Sequence, residues 1–272
     1  MNAQQLYEQI LRKKSFLCVG LDSDAGKLPV HLQRERHPML TFNKAIVDAT
    51  APYAVAYKPN LAFYEAHGAD GWTQLEQTVR YIRRRHPDVL IIADAKRGDI
   101  GNTSRLYAEA FFERMDVDAV TLSPYMGRDT VQPFLEYDGR WAVLLALTSN
   151  PSASDFELTP GEDGEMLYER VLKTSMRWGN PNNTMYVVGA TKAEMLSSIR
   201  RIAPDHFLLV PGVGEQGGSL DEVAKFGMNS RCGLLVNSSR AIIFADSSES
   251  FAATAAKKAR DMQQQMAGYL LS

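Results

Sequence analysis

Along the chain, short apolar runs alternate with longer stretches in which apolar residues return every three or four positions. Eight runs stand out: FLCVGLD (16–22), YAVAYK (53–58), VLIIADAK (89–96), DAVTLS (118–123), WAVLLALT (141–148), MYVVGA (185–190), HFLLVPG (206–212) and GLLVNS (233–238). Each ends at a polar or glycine-bearing turn. The intervals carry helical candidates at 37–50, 72–85, 102–115, 127–137, 164–178, 192–203, 219–227 and 249–267. The runs are continuous rather than alternating in polarity, which predicts strands buried on both faces, as in a parallel sheet wrapped by helices. Eight strand–helix units in 272 residues fit a closed (β/α)8 TIM barrel better than a doubly wound open sheet, which more often has about five to seven strands. No linker rich in proline, glycine or serine divides the chain, so one barrel domain over residues 1–272 is predicted.

Composition narrows the function classes. With 45% apolar and 23% charged residues the chain is neither disordered nor fibrous, and a net charge of −2 gives no overall pull toward nucleic acid or an anionic membrane. An anionic ligand must therefore be held locally. The basic run RRRH at 83–86 reads as a solvated helix end rather than a nucleic-acid patch. Cys18 and Cys232 show neither metal-ligand nor redox spacing and read as buried thiols of a reducing compartment, and the five histidines have no paired spacing for a metal. The first fourteen residues form an amphipathic helical pattern rather than a signal peptide, and no apolar run approaches the ~18 residues of a membrane span. These features predict a cytoplasmic protein.

In a barrel, chemistry gathers at the face where strands end and their following loops begin. The predicted strand ends carry Asp22, Lys58, Asp94 with Lys96, Ser123, Thr148 with Ser149, Gly189, Pro211 with Gly212, and Ser239 with Arg240. Asp94 and Lys96 are two apart, so on an extended strand both point into the barrel mouth, whereas Asp99 falls on the other parity and opens the loop or the next helix. These charges could be a structural ion pair with Asp99 as a helix cap. Lys58, a second strand-end lysine, favours instead an alternating network built for chemistry, since buried charges must be paired.

The other end of the site reads from GVGEQG at 212–217. The pattern has the spacing of a dinucleotide fingerprint, but it follows the seventh strand and no acid lies ~20 residues on. Gly212 and Gly214 after strand seven, with Arg240 after strand eight, match the common phosphate site of barrels.

The run DAKRGDI, with YKPN before it and VPGVGEQGG and NSSR after it, resembles the orotidine 5'-phosphate decarboxylase family, in particular its bacterial members with the same DAKRGDI run. The similarity extends from VGLD near residue 19 to NSSR near residue 240. It implies conversion of orotidine 5'-phosphate to uridine 5'-phosphate and CO2 in de novo pyrimidine biosynthesis, without cofactor or metal. Lys96 is then expected to stabilise and protonate the C6 carbanion. Asp94 would hold it in place and, with Asp99, set negative charge against the substrate carboxylate; Lys58 would orient Asp94 and touch the ribose, and Asp22 would bind ribose hydroxyls. The resemblance also implies that Gln216 bridges phosphate and pyrimidine, that Arg240 pairs with the phosphate, and that Ser149, or its neighbour Thr148, contacts the pyrimidine. Asp99 and Thr103 would reach the site of a neighbouring subunit, which implies a homodimer with shared active sites. The stretch NPSASDFELTPGEDG (150–164) has the length and composition of a closing lid. The long connection at 23–40 and the turn ATK at 190–192 depart from the family pattern.

Two other readings use the same residues. One is a magnesium-dependent sugar-phosphate decarboxylase or aldolase of the same barrel group, against which Lys58 places positive charge where a metal-binding carboxylate is wanted. The other is a catalytically silent binder of phosphorylated metabolites.

Overall fold

The computed structural model describes residues 1–189, 193–213 and 218–271. Helix α1 (Ala3–Lys13) precedes eight strand–helix units: β1 (Leu17–Leu21), α2 (Pro38–Thr50), β2 (Ala54–Pro59), the short α3 (Ala62–Glu65), α4 (Gly68–Arg85), β3 (Leu90–Arg97), α5 (Gly101–Glu109), β4 (Ala119–Leu122), α6 (Arg128–Leu135), β5 (Trp141–Leu147), α7 (Leu167–Ser175), β6 (Thr184–Val188), α8 (Ala193–Ile202), β7 (Phe207–Pro211), α9 (Leu220–Gly227) and β8 (Leu234–Ser238). The one-turn α10 (Arg240–Ile243) and the long α11 (Phe251–Leu270) follow. All neighbouring strands pair in parallel, and β1 also pairs with β8, so the sheet closes into the predicted eight-stranded barrel.

The strands are buried nearly throughout, as their unbroken apolar runs require: β1, β2, β4, β6 and β8 have no exposed position. The helices bury one stripe each, such as Leu75, Val79 and Ile82 of α4. Helix α1 starts with a reciprocal cap between Asn2 and Gln5 and buries Leu6 and Ile10.

The two barrel ends differ in chemistry. At the end where strands begin, Arg200 of α8 donates to the carbonyls of Gly227, His206 and Gly233 at 2.6, 2.7 and 3.0 Å, tying the C-termini of α8 and α9 to the starts of β7 and β8. At the opposite end the buried polar residues Lys58, Asp94, Thr121, Asn237, Ser238 and Ser239 converge. Cys18 lies on β1, level with Asn237, whereas Cys232 sits in the turn before β8. Both thiols are buried and unbridged, and burial pushes each up to about 12.

Candidate active site

Asp94, near the end of β3, is the hub of the barrel mouth. Its Oδ2 accepts from Lys58 Nζ at 2.7 Å, and its Oδ1 accepts from Lys96 Nζ at 2.6 Å and from the Thr121 hydroxyl at 3.0 Å. Burial opposes ionisation of Asp94, but the two ammonium groups outweigh it and hold the carboxyl well below the usual carboxylate range. Burial likewise works against the Lys58 ammonium, yet Asp94 and Asp22 overcome it and raise its pKa. Lys58 is therefore a locked cation. The Lys96 side chain is 52% exposed and faces the open cavity.

The geometry that brings Asp94 and Lys96 together is not a regular strand. The register runs Ile92↔Ala119 and Ala93↔Val120, then resumes at Arg97↔Leu122, so three residues of β3 stand opposite Thr121 alone. Lys96 takes up the excess with φ 46°, a left-handed conformation uncommon for a residue with a side chain. Asp94 and Lys96 do meet, but through a bulge rather than the extended strand that their two-residue spacing assumed. Sequence parity placed Asp99 off the Lys96 face: Asp99 accepts from the Ile100 N–H at 2.8 Å, and neither it nor the exposed Thr103 lines the cavities of its own chain.

Two cavities meet at Lys58, Asp94 and Pro211. One, of about 280 Å³, holds Lys96, Thr121, Thr148, Ser149 and Asn150 beneath apolar walls from Leu145, Val187 and Leu209. The other, of about 310 Å³, is polar and contains Asp22, Gly212, Asn237, Ser238 and Arg240. Among the described residues, Asp22 Oδ1, Asn237 Oδ1 and Ser238 Oγ are buried there without a hydrogen-bond partner. Buried polar atoms ordinarily have one, so the chamber offers two unsatisfied acceptors, suited to hydroxyl donors, and one hydroxyl that can donate or accept. Asn237 and Ser238 escaped the sequence reading because they fall inside an apolar run.

Close strand-end packing shapes both chambers. A side chain on Gly20 would stand 2.8 Å from Ser239 Cβ, and only a glycine lets β8 bring Ser239 and Arg240 over β1. Gly212 has φ 93°, also a glycine conformation, and turns the chain across the polar chamber. Gly214, Gln216 and the turn at 190–192 lie outside the described residues.

Thr148 and Ser149 both reach the apolar chamber, and Thr148 is also tied to the loop that follows. Its N–H and hydroxyl donate to the two oxygens of Glu157 at 2.6 and 2.7 Å. Glu157, which the sequence did not single out, is itself fixed, its carbonyl accepting from Tyr168 of α7 at 3.0 Å. Thr159 and Leu167 are bonded at 3.0 Å, and Pro160 pairs with Met166, so the second half of the predicted lid is fastened to α7. The first half forms a short 3-10 turn, Pro151–Asp155, in which Ala153 is buried.

Among the described residues no group of three or more His, Cys, Asp or Glu side chains could hold a metal ion, and both oxygens of Asp94 are already engaged by donors. No helix among them is long and apolar enough to cross a membrane.

The family model for orotidine 5'-phosphate decarboxylase / HUMPS matches residues 15–256. The orotidine 5'-phosphate decarboxylase of Phocaeicola vulgatus is 61% identical over 266 residues, covering 98% of both chains. That of Bacteroides fragilis is 60% identical over 270 residues, covering 99% of this chain and 98% of its own. The solved structure of Leishmania donovani OMP decarboxylase superposes with a TM-score of 0.80 at 32% identity, covering 97% of this chain and 99% of that one.

Proposed function

This chain belongs to the orotidine 5'-phosphate decarboxylase family, and we propose that it converts orotidine 5'-phosphate to uridine 5'-phosphate and CO2 with Lys96 as the group that stabilises and protonates C6. The observation that carries this assignment is the exposed Lys96 ammonium, held 2.6 Å from Asp94 at the rim of an apolar chamber that opens into a polar one.

The two chambers suit the two ends of the substrate. The pyrimidine enters beneath Leu145, Val187 and Leu209, with Ser149 and Gln216 on its amide edge, while Asp22 takes the ribose hydroxyls. Gly212, Gly214 and Arg240 take the phosphate, and Asn237 and Ser238 complete the polar wall. When the C6–carboxylate bond breaks, CO2 departs and the electron pair remains on C6 in an orbital with no adjacent sink. An ammonium aimed at that carbon from the rim of a chamber with apolar walls lowers the energy of the developing charge. It then delivers its proton to C6, leaving a neutral amine that recovers a proton from solvent. Asp94 keeps Lys96 aimed, and Lys58 keeps Asp94 ionised and in place. No cofactor or metal takes part in these steps. Phosphate binding, remote from C6, contributes by fixing the pyrimidine against Lys96.

Residues 1–272 act as one barrel domain, and two copies form a homodimer in which Asp99 and Thr103 serve the neighbour's site. Their position outside the cavities of their own chain supports that arrangement. A reducing cytoplasm suits the two unbridged thiols. The deciding experiment adds orotidine 5'-phosphate to protein stripped with EDTA and follows uridine 5'-phosphate formation. Undiminished turnover is expected; loss that returns with magnesium would favour the metal-dependent reading, and binding without turnover the silent binder.

A further inference from the structure

We infer that Thr121, on β4, is a positioning residue that holds Lys96 in its left-handed conformation; the inference rests on Lys96 being the proton donor to C6. In a regular parallel ladder the Lys96 N–H would have a carbonyl partner on the neighbouring strand. Here Asp94, Ala95 and Lys96 stand opposite Thr121 alone, so the regular ladder with β4 is interrupted at that N–H. The Thr121 hydroxyl takes its place, accepting from Lys96 N at 2.9 Å and donating to Asp94 Oδ1 at 3.0 Å. That same oxygen accepts from Lys96 Nζ at 2.6 Å. One hydroxyl therefore fixes the backbone of the lysine and the carboxylate that aims its side chain.

Among the described residues the hydroxyl bonds only these two groups. Thr121 is 1% exposed, its hydrogen is committed to a carboxylate held ionised by two ammonium groups, and its β-branched side chain has few rotamers on a strand. From the outer side, Arg97 braces the same turn: it donates to Ala95 O at 3.0 Å and pairs with Glu65, and its guanidinium lies 5.7 and 5.8 Å from the ring centres of Tyr107 and Phe111. Arg97 supports the loop, whereas the Thr121 hydroxyl links the Lys96 backbone to the Asp94 carboxylate. Without the hydroxyl the left-handed turn loses its inner tie and the ammonium shifts relative to C6, whereas Thr121 itself does not line the polar chamber that binds ribose and phosphate.

The test compares Thr121→Val, which keeps shape and removes the hydroxyl, with Thr121→Ser, which keeps the hydroxyl, using Lys96→Ala as reference. Because a misplacement of about 1 Å costs on the order of 100-fold in rate, Thr121→Val is expected to lower kcat by about that factor, with the Kd for uridine 5'-phosphate within about threefold of wild type. Thr121→Ser should recover kcat to within about fivefold of wild type, a rescue that packing alone does not explain. Should Thr121→Val not fold, Thr121→Cys, with a thiol of similar volume and weak donor strength, carries the same expectation. Wild-type kcat in Thr121→Val, equal damage in Val and Ser variants, or parallel loss of kcat and nucleotide affinity would each overturn the role of Thr121. If Thr121→Val is harmless while Lys96→Ala is inactive, only the positioning role fails. If Lys96→Ala stays active, the reading of Lys96 fails first.

Discussion

Replacing Lys96 by alanine should separate catalysis from stability, because the structure gives the two functions to different lysines. Lys96 is half exposed, and its removal leaves Asp94 with Lys58 at 2.7 Å and Thr121 at 3.0 Å, so no buried charge loses its last partner. A pair of this exposure contributes about 0–1 kcal/mol. With an unfolding entropy of about 2.1 cal/mol/K per residue over 272 residues, that corresponds to a Tm shift of at most about 2 °C. The catalytic loss is of another order. Removing one preorganised charge-stabilising donor costs about 10²–10³ in kcat, and removing the proton donor a further 10²–10⁴ or so, together about 10⁴–10⁷. Stopped assays of uridine 5'-phosphate formation, run beside thermal unfolding of the same preparation, measure both. A variant that keeps more than about a tenth of wild-type kcat, a change of only ~1.4 kcal/mol, would refute the role given to Lys96. So would a kcat loss accompanied by a large fall in Tm, which would mean that the lysine acts through the fold.

Three further outcomes follow from the same geometry. Arg240→Ala should raise KM for orotidine 5'-phosphate at least about tenfold, as expected for loss of a phosphate-pairing guanidinium, and an unchanged KM would remove Arg240 from the phosphate site. Mixing Lys96→Ala with Asp99→Ala chains should restore up to about a quarter of wild-type activity, since half the dimers would be mixed and each would carry one intact site of two; subunit exchange without recovery would place Asp99 in its own chain's site. His206 is buried with neither ring nitrogen bonded among the described residues, and burial together with Arg200 lowers its pKa to about 4. The unfolded chain then takes up a proton near pH 6.5 that the folded chain refuses until about pH 4, so stability should fall by about 3 kcal/mol as pH drops through that window and level off below it. Denaturant titrations of His206→Phe across pH 4–7 should lose that slope relative to wild type, and an identical slope would show that other groups set it.

Much of the fold was legible because it depends on near neighbours in the chain. Unbroken apolar runs such as VLII and WAVLLAL specify strands with two buried faces, and eight of them leave one economical way to hide every face. The charged residues ending the third run, and the glycines after the seventh, stood out because charge and left-handed backbone both interrupt a buried strand. What stayed hidden depends on register between strands. That Thr121 satisfies Lys96 is a contact across 25 positions, created by a bulge that no local pattern announces. Glu157 looked like one acid in a polar loop until the fold set it against the Thr148 N–H. Asn237 and Ser238 looked like the tail of an apolar run until closure of β8 onto β1 left their oxygens unpaired above the polar chamber. Local patterning along the chain sets which elements form and which charges end them. Which hydroxyl, carboxylate and ammonium meet is settled by folding, because hydrogen bonds act over about 3 Å and such distances between remote residues are set by the packing of the whole barrel.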